Sequence, residues 1–307
     1  MAEGAPGGVA RRTLLGTAVA AVVLPTAACG IRLEDDAPQV PLVPTRTPLP
    51  LEARLVELTR DTAALAASAA ALPGGLPADL AAIHERQHSV LRTTLLRQQV
   101  PSTAVDGTLT PTPRPSASVR RADLAAAEAA AAASAGSLAG VATDLRATVA
   151  ALHAQRYAAA SLLTGRPPVV PREPVADEAV GELAAGTSAA VWFLEVVSAR
   201  STGRQRSRSD ATLETLRNLL TDQVTGGSTP AAVLGHPLPF PVETAGDAAR
   251  LAREVLTSLR AGYGEHLEPL VTAHGAAGIS AVTRWLGTVE TEAHRWGADL
   301  VPFPGLT

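Results

Sequence analysis

Lysine is absent from the 307 residues, and all 26 basic residues are arginine. This excludes a GxxxxGK[ST] phosphate loop and any Schiff-base lysine. A single cysteine, Cys29, leaves no intramolecular disulfide, no CxxC redox pair and no zinc ribbon. No GxSxG, EF-hand loop or GxGxxG occurs either. Basic charge is not in surplus. With 29 acidic residues the net charge is −3, whereas nucleic-acid binding rests on a basic surface. Aromatic residues reach only 3% and alanine is abundant, a composition that suits close-packed helices better than sheets.

The first segment reads as an address. Arg11 and Arg12 precede an apolar stretch over residues 13–28. It is too short for a comfortable transmembrane helix, which needs about 20 residues. It leads into Thr26-Ala27-Ala28-Cys29-Gly30. Small residues before a cysteine resemble a bacterial lipobox, where the signal is cut before the cysteine and the thiol receives a diacylglyceryl group. Thr26 stands where a lipobox usually has leucine. Arg11-Arg12-Thr13-Leu14-Leu15 also resembles a twin-arginine export motif. The expectation is a signal peptide over residues 1–28, lipidation at Cys29, and attachment to the outer face of the cytoplasmic membrane. Residues 29–50 read as a tether, because Pro38, Pro41, Pro44, Pro48 and Pro50 forbid a helix. An extended chain of that kind reaches up to roughly 60 Å at about 3.1 Å per residue. No later segment reads as a membrane span.

From Leu51 the pattern turns helical, with Leu51, Leu55, Leu58 and Leu65 on one face. Residues 51–166 contain a helix ending at Pro73-Gly74-Gly75, a second from Asp79 to about Gln99, and a Pro/Ser/Thr-rich connection. An alanine-rich stretch over residues 119–163 follows, either one bent helix or two broken at Gly136 and Gly140. Residues 174–307 repeat this order. Helices are expected over 175–199, 210–224, 243 to about 273 with a kink at Pro269, and 275–299. Each half is helix, short turn, helix, long connection, helix, short turn, helix. One long crossover is the topology of ferritin-like bundles. The expected fold is all-α, two ferritin-like four-helix bundles in tandem.

The second half also resembles a known family. The residues are Leu238-Pro239-Phe240-Pro241-Val242, Ala248, Leu251-Ala252 and the terminal Phe303-Pro304-Gly305-Leu306. Ala189-Ala190-Val191-Trp192 and Val196-Val197 are similar to its opening helix. Together they resemble a ferritin-like domain-of-unknown-function family of exported lipoproteins from high-GC Gram-positive bacteria. The resemblance implies a bundle at the cell envelope and no established activity.

A di-iron bundle needs a glutamate from each of two helices and a Glu-x-x-His pair from each of the other two. The second half lacks the set. Thr187 aligns where the family often has glutamate, Glu214 is followed three residues later by Arg217, and Glu290 and His294 stand four apart. The first half has one such pair, Glu85 and His88, with His84 one turn earlier. Neither Glu57 nor Glu128 completes it, and His153 has no glutamate three residues before it. No metal, cofactor or catalytic residue is therefore expected. Arg200, Arg204, Arg206 and Arg208 read as a solvated turn, or as a patch for anionic headgroups or an acidic partner. Trp192, Trp285 and Trp296 read as packing residues.

The expected function is non-enzymatic. It is a lipid-anchored extracytoplasmic module that meets the membrane through its anchor and an unidentified envelope protein through its surface, with no nucleic acid. The alternatives are a metal-binding or oxidoreductase bundle and a carrier of a small apolar ligand.

Overall fold

A computed structural model of the chain describes residues 46–107, 119–227 and 235–306. Arg11, Arg12, Cys29 and the tether before residue 46 lie outside the described residues. The described residues form nine α-helices, one 3-10 turn and no strand.

Helix α1 (Glu52–Ala70) buries Leu55, Leu58, Thr62, Leu65 and Ala69, whose spacings of three and four share one face. Helix α2 (Gly75–Arg97) begins four residues before the expected Asp79. Pro77 lies in its first turn, where a missing N–H costs nothing. A short helix, α3 (Ser102–Asp106), occupies part of the connection expected to be irregular, and Arg92 grips Asp106 at 2.7 and 2.8 Å. The alanine-rich stretch is two helices. α4 (Arg121–Ala133) ends in the 3-10 turn Ala135–Leu138, and α5 (Thr143–Thr164) follows.

Helix α6 (Glu178–Arg200) starts at Asp177, whose side chain accepts from the Val180 N–H at 2.8 Å. Contrary to the sequence expectation, α6 is long and apolar enough to cross a membrane by length and composition. It packs against α7 (Gly203–Val224) and α8 (Ala245–Glu265), burying Val180, Leu183, Ala190, Leu194 and Val197. Helix α7 begins seven residues before the expected Asp210, so Arg204, Arg206 and Arg208 ride on a helix rather than a turn. Thr244 and Asp247 form a reciprocal cap at the start of α8.

The expected kink at Pro269 is absent. The chain breaks at His266 instead, and Pro269 falls in the first turn of α9 (Leu267–Arg295). The kink lies at Gly275, where φ 54° and ψ −123° need a residue without Cβ.

Within residues 46–307, which cluster as one compact unit, α1 pairs with α2 and α4 with α5, while α1 and α4 touch sparsely. In the second half α6 pairs with α7 and α8, and α8 with α9. The most extensive pairing joins the halves: α5 against α9. Both helices are buried on nearly every side over Val149–Ser161 and Gly278–Ala293. A Cβ on Gly287 would lie 2.6 Å from the Tyr157 ring and 2.8 Å from the Ala154 carbonyl, so only glycine allows this approach. One hydrophobic core consequently runs from Leu55 to Trp296.

The C-terminal segment crosses back over both halves. The Val301 N–H donates to Glu290 at 2.9 Å, and Gln87 of α2 donates to the Pro302 carbonyl at 2.5 Å. A Cβ on Gly264 would fall 1.8 Å from the Gly305 carbonyl oxygen, so the tail lies backbone to backbone on α8.

Candidate functional site

The expected Glu85–His88 pair does not assemble with His84. The core face of α2 runs Leu80, Ile83, His84, Gln87, Leu91 and Leu95. His84 is fully buried, Glu85 is exposed and His88 is half-buried. Residues 84–88 also satisfy the His-Glu-x-x-His spacing, which sequence reasoning missed and in which two histidines of one helix face bind zinc beside a glutamate base. Here His84 is already engaged. Its Nε2 lies 2.6 Å from Glu128 Oε1, and its Nδ1 lies 2.6 Å from Arg156 Nη1 and 3.1 Å from Gln87 Oε1.

Those contacts belong to a buried polar layer to which every main helix of the first half contributes. Thr62 comes from α1, His84 and Gln87 from α2, Glu128 from α4, and Arg156 from α5. Arg156 Nη2 donates to Thr62 Oγ1 at 3.0 Å, and Nη1 lies 3.5 Å from the second Glu128 oxygen. Burial pulls the Arg156 pKa down, while Glu128 opposes that by favouring the charged form. His153, one turn before Arg156, is also buried, and its Nδ1–H donates to the Ala131 carbonyl at 2.9 Å. Burial and the neighbouring Arg156 charge push its pKa down to about 4, so the ring is neutral near pH 7.

The second half has a neutral counterpart. Tyr263 of α8 is fully buried, with its hydroxyl 3.2 Å from Thr187 Oγ1 of α6 and 2.5 Å from Gln223 Nε2 of α7. Burial pushes the phenol pKa up. Glu290 is buried towards the tail, where Arg260 donates to it at 2.8 Å. Burial raises its pKa, and Arg260 and the Val301 N–H oppose this. Glu214 is exposed, Arg217 pairs with Glu195 at the surface at 2.7 Å, and His294 meets the Ala298 carbonyl at 3.2 Å.

These residues do not fit a di-iron centre. Among the described residues no three of histidine, cysteine, aspartate and glutamate stand together as metal ligands. Glu128 is the only carboxylate of the first layer, and its oxygens face His84 and Arg156. A guanidinium at the centre repels a cation and brings no lone pair. Glu57 is exposed, outside the layer.

The other singled-out residues are spread over the surface and the core. Arg206 pairs with Asp210 at 3.0 Å, Arg208 lies 5.7 Å over the Trp296 ring, and Arg200 and Arg204 are exposed. Trp285 and Trp296 are buried, and Trp285 donates to Asp222 at 2.7 Å. Trp192 is half-buried, edge-on to Phe193 at 5.0 Å and to His236 at 5.7 Å.

Two clefts open beside the polar layers. One, of about 490 Å³, lies between α1 and α4 and reaches His153 and Arg156. The other, of about 440 Å³, lies between α6 and α8 and reaches Tyr263. Sequence reasoning passed over Gln87, Arg156, Gln223 and Tyr263. Their signal is a polar group at helical spacing inside an otherwise apolar stripe, as at Leu80, Ile83, His84, Gln87 and Leu91.

No curated protein and no solved structure matches the chain. Its second half, with the tail that closes over both halves, does match: residues 179–307 are a DUF4439 domain, a domain of unknown function.

Proposed function

We propose that this protein is a non-enzymatic, lipid-anchored helical scaffold on the outer face of the cytoplasmic membrane. Its two halves are ferritin-like four-helix bundles in tandem. The helix order supports the bundle reading, since each half has two hairpins joined by a longer connection. The observation that carries the non-catalytic reading is the Arg156–Glu128–His84 layer. Side chains that bond one another occupy the place where a bundle enzyme would gather ligands for a cofactor. Cys29 supplies the anchor, and half-buried Trp192 and Phe193 give a surface that an envelope partner can cover.

The test is envelope fractionation with in-cell crosslinking, comparing the native chain with Cys29→Ala. The native chain is expected in the membrane fraction, carrying diacylglycerol and crosslinked to a defined envelope protein. Cys29→Ala is expected to lose the lipid mass and the membrane association. Two results would overturn the proposal: an unmodified Cys29, or stoichiometric iron with oxidase activity in the purified protein.

A further inference from the structure

The cleft between α1 and α4 has a floor that does not balance its own hydrogen bonds. His153 and Arg156 are both about 1% exposed. The His153 Nδ1–H is committed to the Ala131 carbonyl, which leaves Nε2 as a lone-pair acceptor, and that atom is buried without a partner. Arg156 spends its two terminal nitrogens on His84 and Thr62, and its Nε–H is likewise buried and unpartnered. Each orphaned group is unfavourable unless something enters to satisfy it. The two residues stand three apart on α5, on one helix face, and both line the same cleft.

The walls and mouth say what can enter. Leu58 and Leu65 of α1 and Leu138 of the 3-10 turn face the alanines of α4, at positions 127, 130 and 131. Those short side chains leave the space between the helices unfilled. The cavity of about 490 Å³ is within the range that holds small organic ligands. Its lining holds two guanidiniums, Arg54 and Arg156, and two carboxylates, Glu57 and Asp61. Arg54 pairs with Glu57, Arg156 faces Glu128, and Asp61 lies at the mouth with a pKa raised by burial and by Glu57. An anion would meet Glu57 and Asp61, and a cation would meet the Arg54 and Arg156 guanidiniums. The floor asks for one donor, to His153, and one acceptor, from Arg156. A hydroxyl is a neutral group that supplies both.

We infer that the α1–α4 cleft binds a small neutral amphiphile with a hydroxyl head. The hydroxyl sits on His153 and Arg156, and the apolar body lies along Leu58, Leu65 and the α4 alanines. The site goes beyond the scaffold function and is independent of the membrane anchor. The α6–α8 cleft lacks this chemistry, because the Tyr263 hydroxyl at its floor already has Thr187 and Gln223 as partners.

The experiment titrates the full chain with 1-octanol, heptyl methyl ether and octanoate, following affinity by calorimetry and the His153 ring nitrogens by NMR. The ether matches octanol in size and accepts but cannot donate; octanoate adds a negative charge. Octanol is expected to bind on the order of tenfold more tightly than either, the size of one hydrogen bond, and to shift the His153 Nε2 resonance. His153→Phe should erase the preference for octanol over the ether. Ala130→Trp fills the cleft from an exposed position, so it should abolish binding with the fold intact, as checked by thermal unfolding. Equal binding of octanol and the ether overturns the inference, as does unchanged binding in Ala130→Trp. So does a chain that binds no probe and holds an ordered water on both atoms in a crystal structure.

Discussion

The two halves share a helix order but fill their centres differently. The first buries a charged layer, His84, Glu128 and Arg156, tied by contacts of 2.6, 2.6 and 3.5 Å. The second buries a neutral one, in which Tyr263 joins Thr187 and Gln223. An ion cluster in a low-dielectric core is stable only while every member is present. A neutral layer tolerates loss because no bare charge is left behind. The first half is therefore the brittle one. The α5–α9 pairing spreads any failure, since the two halves share one core.

The largest effect should come from breaking that charge balance. Glu128→Ala strands the Arg156 guanidinium in a fully buried site and is expected to cost about 3–5 kcal/mol. Tyr263→Phe leaves two polar groups underbonded and should cost about 1–2 kcal/mol. Denaturant unfolding of the two variants measures the difference directly. Removing the whole cluster sharpens the contrast. His84→Leu, Glu128→Leu and Arg156→Met made together should restore native stability or exceed it, because no desolvated charge remains. Equal losses in Glu128→Ala and Tyr263→Phe would abolish the distinction between the halves.

Acid should separate the halves by sign. The His153 pKa is depressed from 6.5 to about 4 in the folded chain, so the unfolded chain binds more protons between those values. Its contribution to stability is complete above about pH 6.5 and lost as the pH falls through about 4, at most about 3 kcal/mol. Glu290 works the other way. Its folded pKa is raised, so it gains stability as the pH falls through that raised value. Thermal midpoints at pH 7, 5.5 and 4.5 should fall in the native chain. His153→Gln should flatten the fall and Glu290→Gln should steepen it. A slope that neither variant changes would show that neither group carries the acid response.

Much of the fold was legible because helices announce themselves by period. The face of α1 could be read from spacing, whereas Gly136 and Gly140 marked a place for a break without deciding between one bent helix and two. Pro269 misled because a proline punctuates a helix interior yet is welcome in a first turn, and only the neighbouring chain decides which it is. The candidate site was less legible. Glu85 and His88 have ligand spacing, but spacing does not say which face the core claims, and the core claimed His84 and Gln87. His84 meets Glu128 across 44 residues and Arg156 across 72. No local pattern encodes either meeting. Nor could the sequence show that a guanidinium sits at the centre of the layer.

The smallest effect should lie at the surface, where the halves ought to behave alike. Arg54–Glu57 in the first half and Arg217–Glu195 in the second are ion pairs of 2.5 and 2.7 Å with both side chains about half exposed. Water screens such pairs, and holding two long side chains together costs entropy, so each contributes below about 1 kcal/mol. Arg54→Ala and Arg217→Ala should therefore shift the unfolding midpoint slightly and equally, and less so in high salt. The control matters because it isolates burial as the cause. If Arg54→Ala were as damaging as Glu128→Ala, the fragility of the first half would come from its total charge, and the difference between the two centres would be incidental.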